Sequence, residues 1–329
     1  MAEQLADAPA RPGSQERVPD FFIVGHPKCG TTALYEMLRH HPQIYMPDVK
    51  EPWFFASELH ERTPPRPQGT PKTLAEYLPL FAAAKPSQRV GEASPHYLWS
   101  HTAAASIAQV KPDARIIAIL REPASFLHSL HLQFVQVYYE VETDFGRAIA
   151  LEQDRRQGRH VPPYTYWPQM LAYSEHVRYV EQLRRYHAAF PEEQVLILIY
   201  EDFRADNEAT VRRVQRFLDV DDTAPVQVVE ANPTVRARSR LLNELVHAVG
   251  VGRGPISHAV KESIKALTPS GPRRNALYAV QRRVVFGEPR PPDEELMREL
   301  RRRFTGEVVG LSEYLDRDLV SLWGYGDVG

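Results

Sequence analysis

The sequence has 329 residues, of which 43% are hydrophobic and 25% are charged, and its formal net charge is −2 at pH 7. A chain of this length can bury a large core. The charge balance excludes disorder throughout the chain and gives no indication of a nucleic-acid partner. The single cysteine, Cys29, excludes an intramolecular disulfide framework.

The N-terminal region gives no sign of a targeting or membrane segment. It lacks the basic stretch followed by an apolar stretch that marks a secretory signal. No apolar run approaches the roughly 20 residues that a membrane-spanning helix needs. We therefore expect a cytoplasmic protein, with a polar, disordered tail at residues 1–18 and a single domain at residues 19–329.

Short apolar runs alternate with helical patterns along the chain. The predicted strands are Phe21–Gly25, Arg89–Glu92, Arg115–Leu120 and Gln194–Tyr200. The predicted helices are Thr32–His40, Leu74–Ala84, His101–Val110, one that begins at Pro123, Gln169–Phe190 and Asn207–Leu218, while Glu140–Pro168 is predicted to be irregular. This alternation predicts an α/β fold with a doubly wound parallel sheet flanked by helices.

The loop after the first predicted strand reads HPKCGTTAL, from His26 to Leu34. A tight turn that leads into a helix directs backbone N–H groups and the positive end of the helix at one point, which favours a phosphate. It is not a Walker A loop, because Lys28 precedes Gly30 instead of following it. The plainer alternative is a turn that Gly30 relieves and whose helix Thr31 caps.

This loop resembles the phosphosulfate-binding loop of sulfotransferases that use 3′-phosphoadenosine 5′-phosphosulfate (PAPS). The resemblance implies a P-loop-like sulfotransferase fold. It also implies that Lys28 holds the oxygen that bridges phosphorus and sulfur. The residues that would bind the 5′-phosphate are Cys29, Gly30, Thr31, Thr32 and Ala33, with the N–H and hydroxyl groups of the glycine and threonines as the donors.

A second segment, RIIAILREPASFLHSL, resembles the signature that holds the 3′-phosphate in the same family. It implies this role for Arg121 and Ser129, and a guanidinium suits a phosphate because it donates paired hydrogen bonds. The alternative is an arginine paired with Glu122 and a serine on a solvated helix face. Tyr200, in IYEDF, matches the position that contacts adenine.

A late basic segment, SGPRRNALY, contains Arg273 and Arg274. By resemblance these arginines close over the 3′-phosphate, and the alternative is a solvated basic turn. Near the end of the sequence, LSEYLDRDLVSLWGY resembles the terminal helix of the family, whose tryptophan, here Trp323, is structural.

Transfer to a hydroxyl needs a base that takes its proton. GEASPHYL resembles the segment that supplies the catalytic glutamate of carbohydrate-type sulfotransferases, which implies Glu92 as the base. His96 is the rival base, and a buried carboxylate that only orders the loop is the structural alternative. Lys50, in a segment that resembles the family's KEP sequence, is expected either to stabilise the transferred group or to form a surface ion pair.

The acceptor is expected to lie against the segment from Glu140 to Trp167, where Tyr164 and Trp167 suit stacking on a sugar or an aromatic ring. Lys50 and His96 complete the predicted acceptor side. The prediction is therefore a PAPS-dependent sulfotransferase without a metal, acting on a saccharide, a glycolipid or a secondary metabolite. Two alternatives stay open, a nucleotide kinase or NTPase and a non-catalytic module that binds an adenosine bisphosphate, and the oligomeric state is not readable.

Overall fold

The structure is a computed structural model that describes residues 17–59, 70–163, 165, 167–229 and 291–326. It also gives the backbone of two short antiparallel strands, Arg236–Ala237 and Phe286–Gly287. The chain divides into two compact units. The first comprises the described parts of Met1–Phe126, Ser174–Asn232 and Leu300–Gly329, and the second those of Leu127–Tyr173 and Pro233–Glu299.

The first unit is built on a five-stranded parallel sheet. Its strands are β1 (Phe21–Gly25), β2 (Ile44–Tyr45), β3 (Arg89–Ala93), β4 (Arg115–Leu120) and β5 (Val195–Ile199). Every residue of β1 is buried, and β4 is buried except at its first residue. Continuous apolar runs of this kind suit strands that are covered on both faces. The predicted parallel α/β fold is confirmed, with β2 as a strand too short for its pattern to be read from the sequence.

The strand order is β2-β3-β1-β4-β5, so the chain runs to one side of β1 for β3 and to the other side for β4. Phe22 of β1 lies opposite Glu92 of β3 and Ile116 of β4. In open α/β sheets, ligands bind beyond the carboxyl ends of the strands where the order reverses in this way. The loop that follows β1 therefore lies at the expected ligand-binding edge.

Helices alternate with these strands along the chain. Their bounds are α1 Thr31–Arg39, α2 Leu74–Tyr77, α3 Ala103–Val110, α4 Pro123–Gln136, α5 Phe145–Ala150, α6 Glu152–Arg156, α7 Tyr179–His187, α8 Tyr200–Ala205, α9 Asn207–Phe217, α10 Glu294–Tyr314 and α11 Leu319–Trp323. Within the part of the chain that the structure describes, no helix has both the length and the apolar character needed to cross a bilayer.

The single long helix predicted over Gln169–Phe190 is wrong. Two 3₁₀ helices, Pro168–Leu171 and Tyr173–Val177, precede α7. The Gln182 side chain donates hydrogen bonds to the backbone oxygens of Glu175 (3.0 Å) and His176 (3.2 Å). These carbonyls are thereby satisfied without a continuous helix, which an amphipathic pattern alone does not reveal.

The segment Glu140–Pro168, predicted to be irregular, contains α5 and α6. Asp144 caps α5 by accepting a hydrogen bond of 2.8 Å from the backbone N–H of Arg147. In the second unit, a fully buried ion pair joins Arg155 of α6 to Glu140 at 2.6 Å. The charged residues that favoured a loop therefore cap and anchor short helices.

Two further predictions need correction or lie partly outside the described residues. The helix predicted over Leu74–Ala84 is α2 followed by a 3₁₀ helix at Leu78–Phe81, which contains Pro79 and so lacks one backbone donor.

Residues 1–16 of the predicted tail lie outside the described residues. Arg17 donates hydrogen bonds to the backbone oxygens of Lys85 (2.7 Å) and Gln88 (2.8 Å).

Candidate active site

The loop between β1 and α1 has the backbone geometry of a tight anion-binding turn. Lys28 and Gly30 both have left-handed backbone angles, with φ of +63° and +85°. The N–H of Cys29 donates to the backbone oxygen of His26 at 3.3 Å, and α1 begins at Thr31. The first amides of α1 therefore lie at the carboxyl edge of the sheet, where a phosphate is favoured.

Gly30 is required both by its backbone conformation and by its surroundings. A side chain is strained at its positive φ. A Cβ at this position would also lie 2.9 Å from the ring of Phe203 and 3.5 Å from that of Tyr200. Helix α8, which carries both aromatic residues, therefore packs directly against the loop.

Cys29 lies in the loop but does not have the properties of a reactive thiol. Its side chain is completely buried. Burial raises the pKa of the Cys29 thiol to about 12, so that it is protonated at neutral pH and is a poor nucleophile. Any contribution of this residue to ligand binding is therefore expected from its backbone N–H.

Arg121 follows β4 and joins the loop to the aromatic residue after β5. Its Nη1 donates to the backbone oxygen of Lys28 at 3.1 Å. Its Cζ lies 4.7 Å from the centroid of the Tyr200 ring, a cation–π contact. The hydroxyl of Tyr179 donates to the backbone oxygen of Arg121 at 2.9 Å. Three predicted nucleotide-binding residues, Lys28, Arg121 and Tyr200, thus meet at the ends of β1, β4 and β5.

Five other predicted nucleotide and acceptor residues belong to the second unit or lie outside the described residues. Ser129 is a buried residue on α4, eight positions after Arg121, and belongs to the second unit. Trp167, also in the second unit, is only 4% exposed. Tyr164, Arg273 and Arg274 lie outside the described residues. The proposed roles of all five stay predictions.

Glu92 lies near the end of β3 with no exposed surface. Its Oε2 accepts hydrogen bonds from the hydroxyls of Tyr77 (2.7 Å) and Tyr97 (3.1 Å). Oε1 has no hydrogen-bond partner among the described residues. Burial raises the pKa of the Glu92 carboxyl to about 7, although hydroxyl hydrogen bonds oppose the shift. A pKa in this range suits proton transfer, but the carboxyl has no surface that an acceptor can touch.

The raised pKa of Glu92 predicts a pH-dependent contribution to stability. Because the pKa rises from 4.5 to about 7 on folding, stability is lost as pH increases between those values, by roughly 3 kcal/mol. Glu92→Gln should not show this loss. Chemical denaturation at about pH 5 and pH 8 should therefore show the variant gaining stability relative to the wild type at the higher pH. An equal change in both proteins would contradict the assignment.

The Lys50–Glu51–Pro52 segment is attached to the carboxyl end of β3. The N–H of Glu51 donates to the backbone oxygen of Ala93 at 3.0 Å, and that of Trp53 donates to Ser94 Oγ at 3.2 Å. Glu51 and Trp53 have left-handed φ values of +62° and +52°, a strained conformation that often marks functional sites.

Lys50 and Glu51 form an ion pair whose side chains are 18% and 32% exposed. Glu51 is therefore an accessible carboxylate beside the predicted cation. It is not among the site residues predicted from the sequence. The sequence shows a glutamate in the KEP segment. It does not show the left-handed backbone of Glu51 or its hydrogen bond to the end of β3.

His96 follows the same strand and is 6% exposed. Burial lowers the pKa of its imidazole, which is therefore neutral at neutral pH. Its Nδ1 has no hydrogen-bond partner among the described residues, and its ring centroid lies 5.9 Å from that of Trp53. A neutral imidazole can accept a proton or orient a hydroxyl, so both predicted roles stay predictions.

Among residues 17–59, 70–163, 165, 167–229 and 291–326, no group of three or more His, Cys, Asp or Glu side chains is placed to hold a metal ion. The groups gathered at the sheet edge are instead a lysine, an arginine, backbone amides, a tyrosine and carboxylates. Such a set can bind a nucleotide with several phosphates and can deprotonate a hydroxyl.

Comparison with known proteins identifies the family of this chain. The family model described as "Sulfotransferase domain" matches residues 18–234. The chain is 26% identical over 259 residues to carbohydrate sulfotransferase 15 of Mus musculus, with 62% of this chain and 44% of that protein covered. It is 27% identical over 227 residues to heparan sulfate glucosamine 3-O-sulfotransferase 3B1 of Mus musculus, with 66% and 52% covered.

These shares mean that the chain spans about half the length of the curated relatives it matches. A crystal structure of a sulfotransferase from Alicyclobacillus acidocaldarius is similar over 93% of this chain and 99% of that one. The two are 26% identical, with a TM-score of 0.65. The loop at Lys28, the arginine at the end of β4 and these matches agree, and the chain belongs to the sulfotransferase family.

Proposed function

We propose that this protein transfers the sulfuryl group of PAPS to an acceptor hydroxyl, giving a sulfate ester and 3′-phosphoadenosine 5′-phosphate (PAP). The observation that carries the proposal is the meeting of Lys28, Arg121 and Tyr200 at one edge of the sheet, at the topological switch point. Membership of the sulfotransferase family supports the same conclusion.

The loop residues supply the donor-side chemistry in this proposal. The first amides of α1 hold the 5′-phosphate, and the Lys28 ammonium stabilises the negative charge on the bridging oxygen as its bond to sulfur breaks. Arg121 pairs with the 3′-phosphate, and Tyr200 lies against the adenine. The acceptor oxygen forms the new bond to sulfur, and its proton passes to a base on the protein.

Two carboxylates compete for the role of base. The family resemblance assigns the role to Glu92, whose raised pKa is suitable but whose carboxyl is completely buried. Glu51 is attached to the end of the same strand and is 32% exposed. Because a base must touch the hydroxyl that it deprotonates, we propose Glu51 as the group that takes the proton and Glu92 as a buried neighbour that orders the site.

The proposed acceptor is a saccharide hydroxyl. The names of two matching relatives specify a carbohydrate and a heparan sulfate glucosamine. Trp53, which is partly exposed beside Glu51, offers an aromatic face of the kind on which sugar rings stack. Lys50, on the other side of Glu51, suits an anionic substituent such as a sulfate or a carboxylate on the sugar.

The function is tested by incubating the protein with PAPS and a panel of acceptors that includes sulfated and unsulfated oligosaccharides, a glycolipid and a phenol. PAP and sulfated product should form in equal amounts with a saccharide, and EDTA should not stop the reaction. Binding of PAP without turnover of any acceptor would favour the non-catalytic module. Hydrolysis or transfer from ATP that depends on magnesium would favour the kinase alternative.

A further inference from the structure

Two carboxylates lie directly beside the proposed nucleotide-binding residues and have no part in the proposed chemistry. Glu122 follows Arg121 in the chain, and Glu201 follows Tyr200. A carboxylate next to a site for a phosphate is unfavourable, because it repels the phosphate and competes for the guanidinium that binds it. The contacts of these two carboxylates therefore decide whether the site can work.

The buried carboxylate of Glu122 is hydrogen-bonded to the first turn of α4, which follows it in the chain, and to a tyrosine far away in the sequence. It accepts hydrogen bonds from the N–H groups of Ala124 (3.0 Å) and Ser125 (2.6 Å) at the start of α4. It also accepts one from the hydroxyl of Tyr325 at 2.6 Å. Tyr325 is 3% exposed, so this bond is shielded from water. The Nε of Arg301 lies 3.9 Å from the Oε1 of Glu122.

The carboxylate of Glu201 connects the ends of β4 and β5. Its Oε1 accepts a hydrogen bond of 3.4 Å from the backbone N–H of Glu122. Its Oε2 accepts one of 2.9 Å from the indole N–H of Trp323, which is 6% exposed. A continuous path therefore runs from Trp323 through Glu201 to the residue after Arg121.

From these contacts we propose that Trp323 and Tyr325, here called the C-terminal clasp, are positioning residues for the nucleotide site. The clasp directs the carboxylates of Glu201 and Glu122 away from the Arg121 guanidinium and fixes the spacing between Arg121 and Tyr200. This proposal rests on the proposed function, because it assumes that Arg121 binds the 3′-phosphate.

The clasp acts on the 3′-phosphate in particular. Without the donors on Trp323 and Tyr325, each carboxylate has an oxygen that lacks a hydrogen bond at a site partly shielded from water. A missing hydrogen bond to a charged group is costly there. A cation can compensate such a carboxylate. Arg301 already lies 3.9 Å from Glu122, and Arg121, which is adjacent to Glu122 in the chain, is the second candidate. An Arg121 that is paired with a carboxylate is no longer free to bind the phosphate dianion.

The test uses Trp323→Phe and Tyr325→Phe, which remove the donors and keep aromatic side chains. Calorimetry should show the Kd for PAP raised about 10-fold in each, as expected for a lost hydrogen bond to a charged group. The Kd for adenosine 5′-phosphate, which lacks the 3′-phosphate, should stay within about twofold. The KM for PAPS should rise while kcat at saturation is retained.

Tyr45→Phe is the matched control. It removes a single tyrosine hydroxyl, which donates to the backbone oxygen of Leu80 at 3.2 Å, from β2 at the edge of the sheet opposite β5. It should leave both dissociation constants unchanged. Thermal unfolding of every variant shows whether the folded fraction is comparable. If Trp323→Phe does not fold, Tyr325→Phe alone provides the comparison, because it removes the hydroxyl donor to Glu122 and should also weaken PAP selectively.

Equal weakening of PAP and adenosine 5′-phosphate would overturn the proposal, as would a fall in kcat with an unchanged KM for PAPS. Either result would mean that the clasp only stabilises the fold. Failure of the wild type to bind PAP is a different outcome, because it contradicts the proposed function itself.

Discussion

Lys28→Ala should lower kcat by about 10²- to 10³-fold at saturating PAPS, the range seen when one preorganised donor to a developing charge is removed. Lys28 lies in the turn between β1 and α1. In the proposed reaction its ammonium stabilises the bridging oxygen, which gains charge only as its bond to sulfur breaks. The loss should therefore appear in kcat more than in the affinity for PAP. Initial rates with a saturating acceptor measure it.

Lys72→Ala is the control for this prediction, because Lys72 is an exposed lysine outside the candidate site. It should have wild-type kcat and KM. A Lys28→Ala variant whose kcat falls less than about threefold while its KM for PAPS rises would show that Lys28 contributes only to binding. In that case another group would have to stabilise the departing nucleotide.

Glu51→Gln should lower kcat by about 10²- to 10⁴-fold, the usual contribution of a general base. The amide keeps the size of the side chain but cannot take the proton of the acceptor. The Kd for PAP should stay within about threefold, because the proposed nucleotide contacts come from the loop, Arg121 and Tyr200. Single-turnover rates with bound PAPS separate this chemical step from binding.

Glu92→Gln is the matched comparison, since it makes the same change in the buried carboxyl near the end of β3, the strand to which Glu51 is attached. We expect a much smaller effect on kcat, together with the altered pH dependence of stability described above. The reverse result, a large loss in Glu92→Gln and a small one in Glu51→Gln, would assign the base to Glu92. It would also require a movement that exposes the Glu92 carboxyl to the acceptor.

The parallel sheet was readable because its strands are continuous apolar runs. RIIAIL gives β4 with the predicted bounds, and FFIVG gives β1 in the same way. The helix predicted over Gln169–Phe190 failed because one side chain, Gln182, satisfies backbone carbonyls that a longer helix would otherwise bond. Such a substitution of side chain for backbone depends on tertiary contacts and leaves no periodic signal.

The turn between β1 and α1 was equally readable, because a glycine, a lysine and two threonines between an apolar run and a helical pattern are typical of a strand–helix turn that favours a phosphate. The contacts that Trp323 and Tyr325 make beside this site could not be predicted from the sequence. Trp323 is more than a hundred residues from Glu201 in the sequence, yet its indole donates to that carboxylate. The choice between Glu51 and Glu92 as the base also depends on the exposure of the two carboxyls, which the sequence does not give.

The most direct test of the central claim is calorimetric titration of PAP, without magnesium, into the wild type and Arg121→Ala. We predict micromolar binding to the wild type and binding at least 10-fold weaker in the variant, because a bidentate charged contact to the 3′-phosphate is lost. Absence of PAP binding to the wild type, or binding of ATP with magnesium in its place, would contradict the claim.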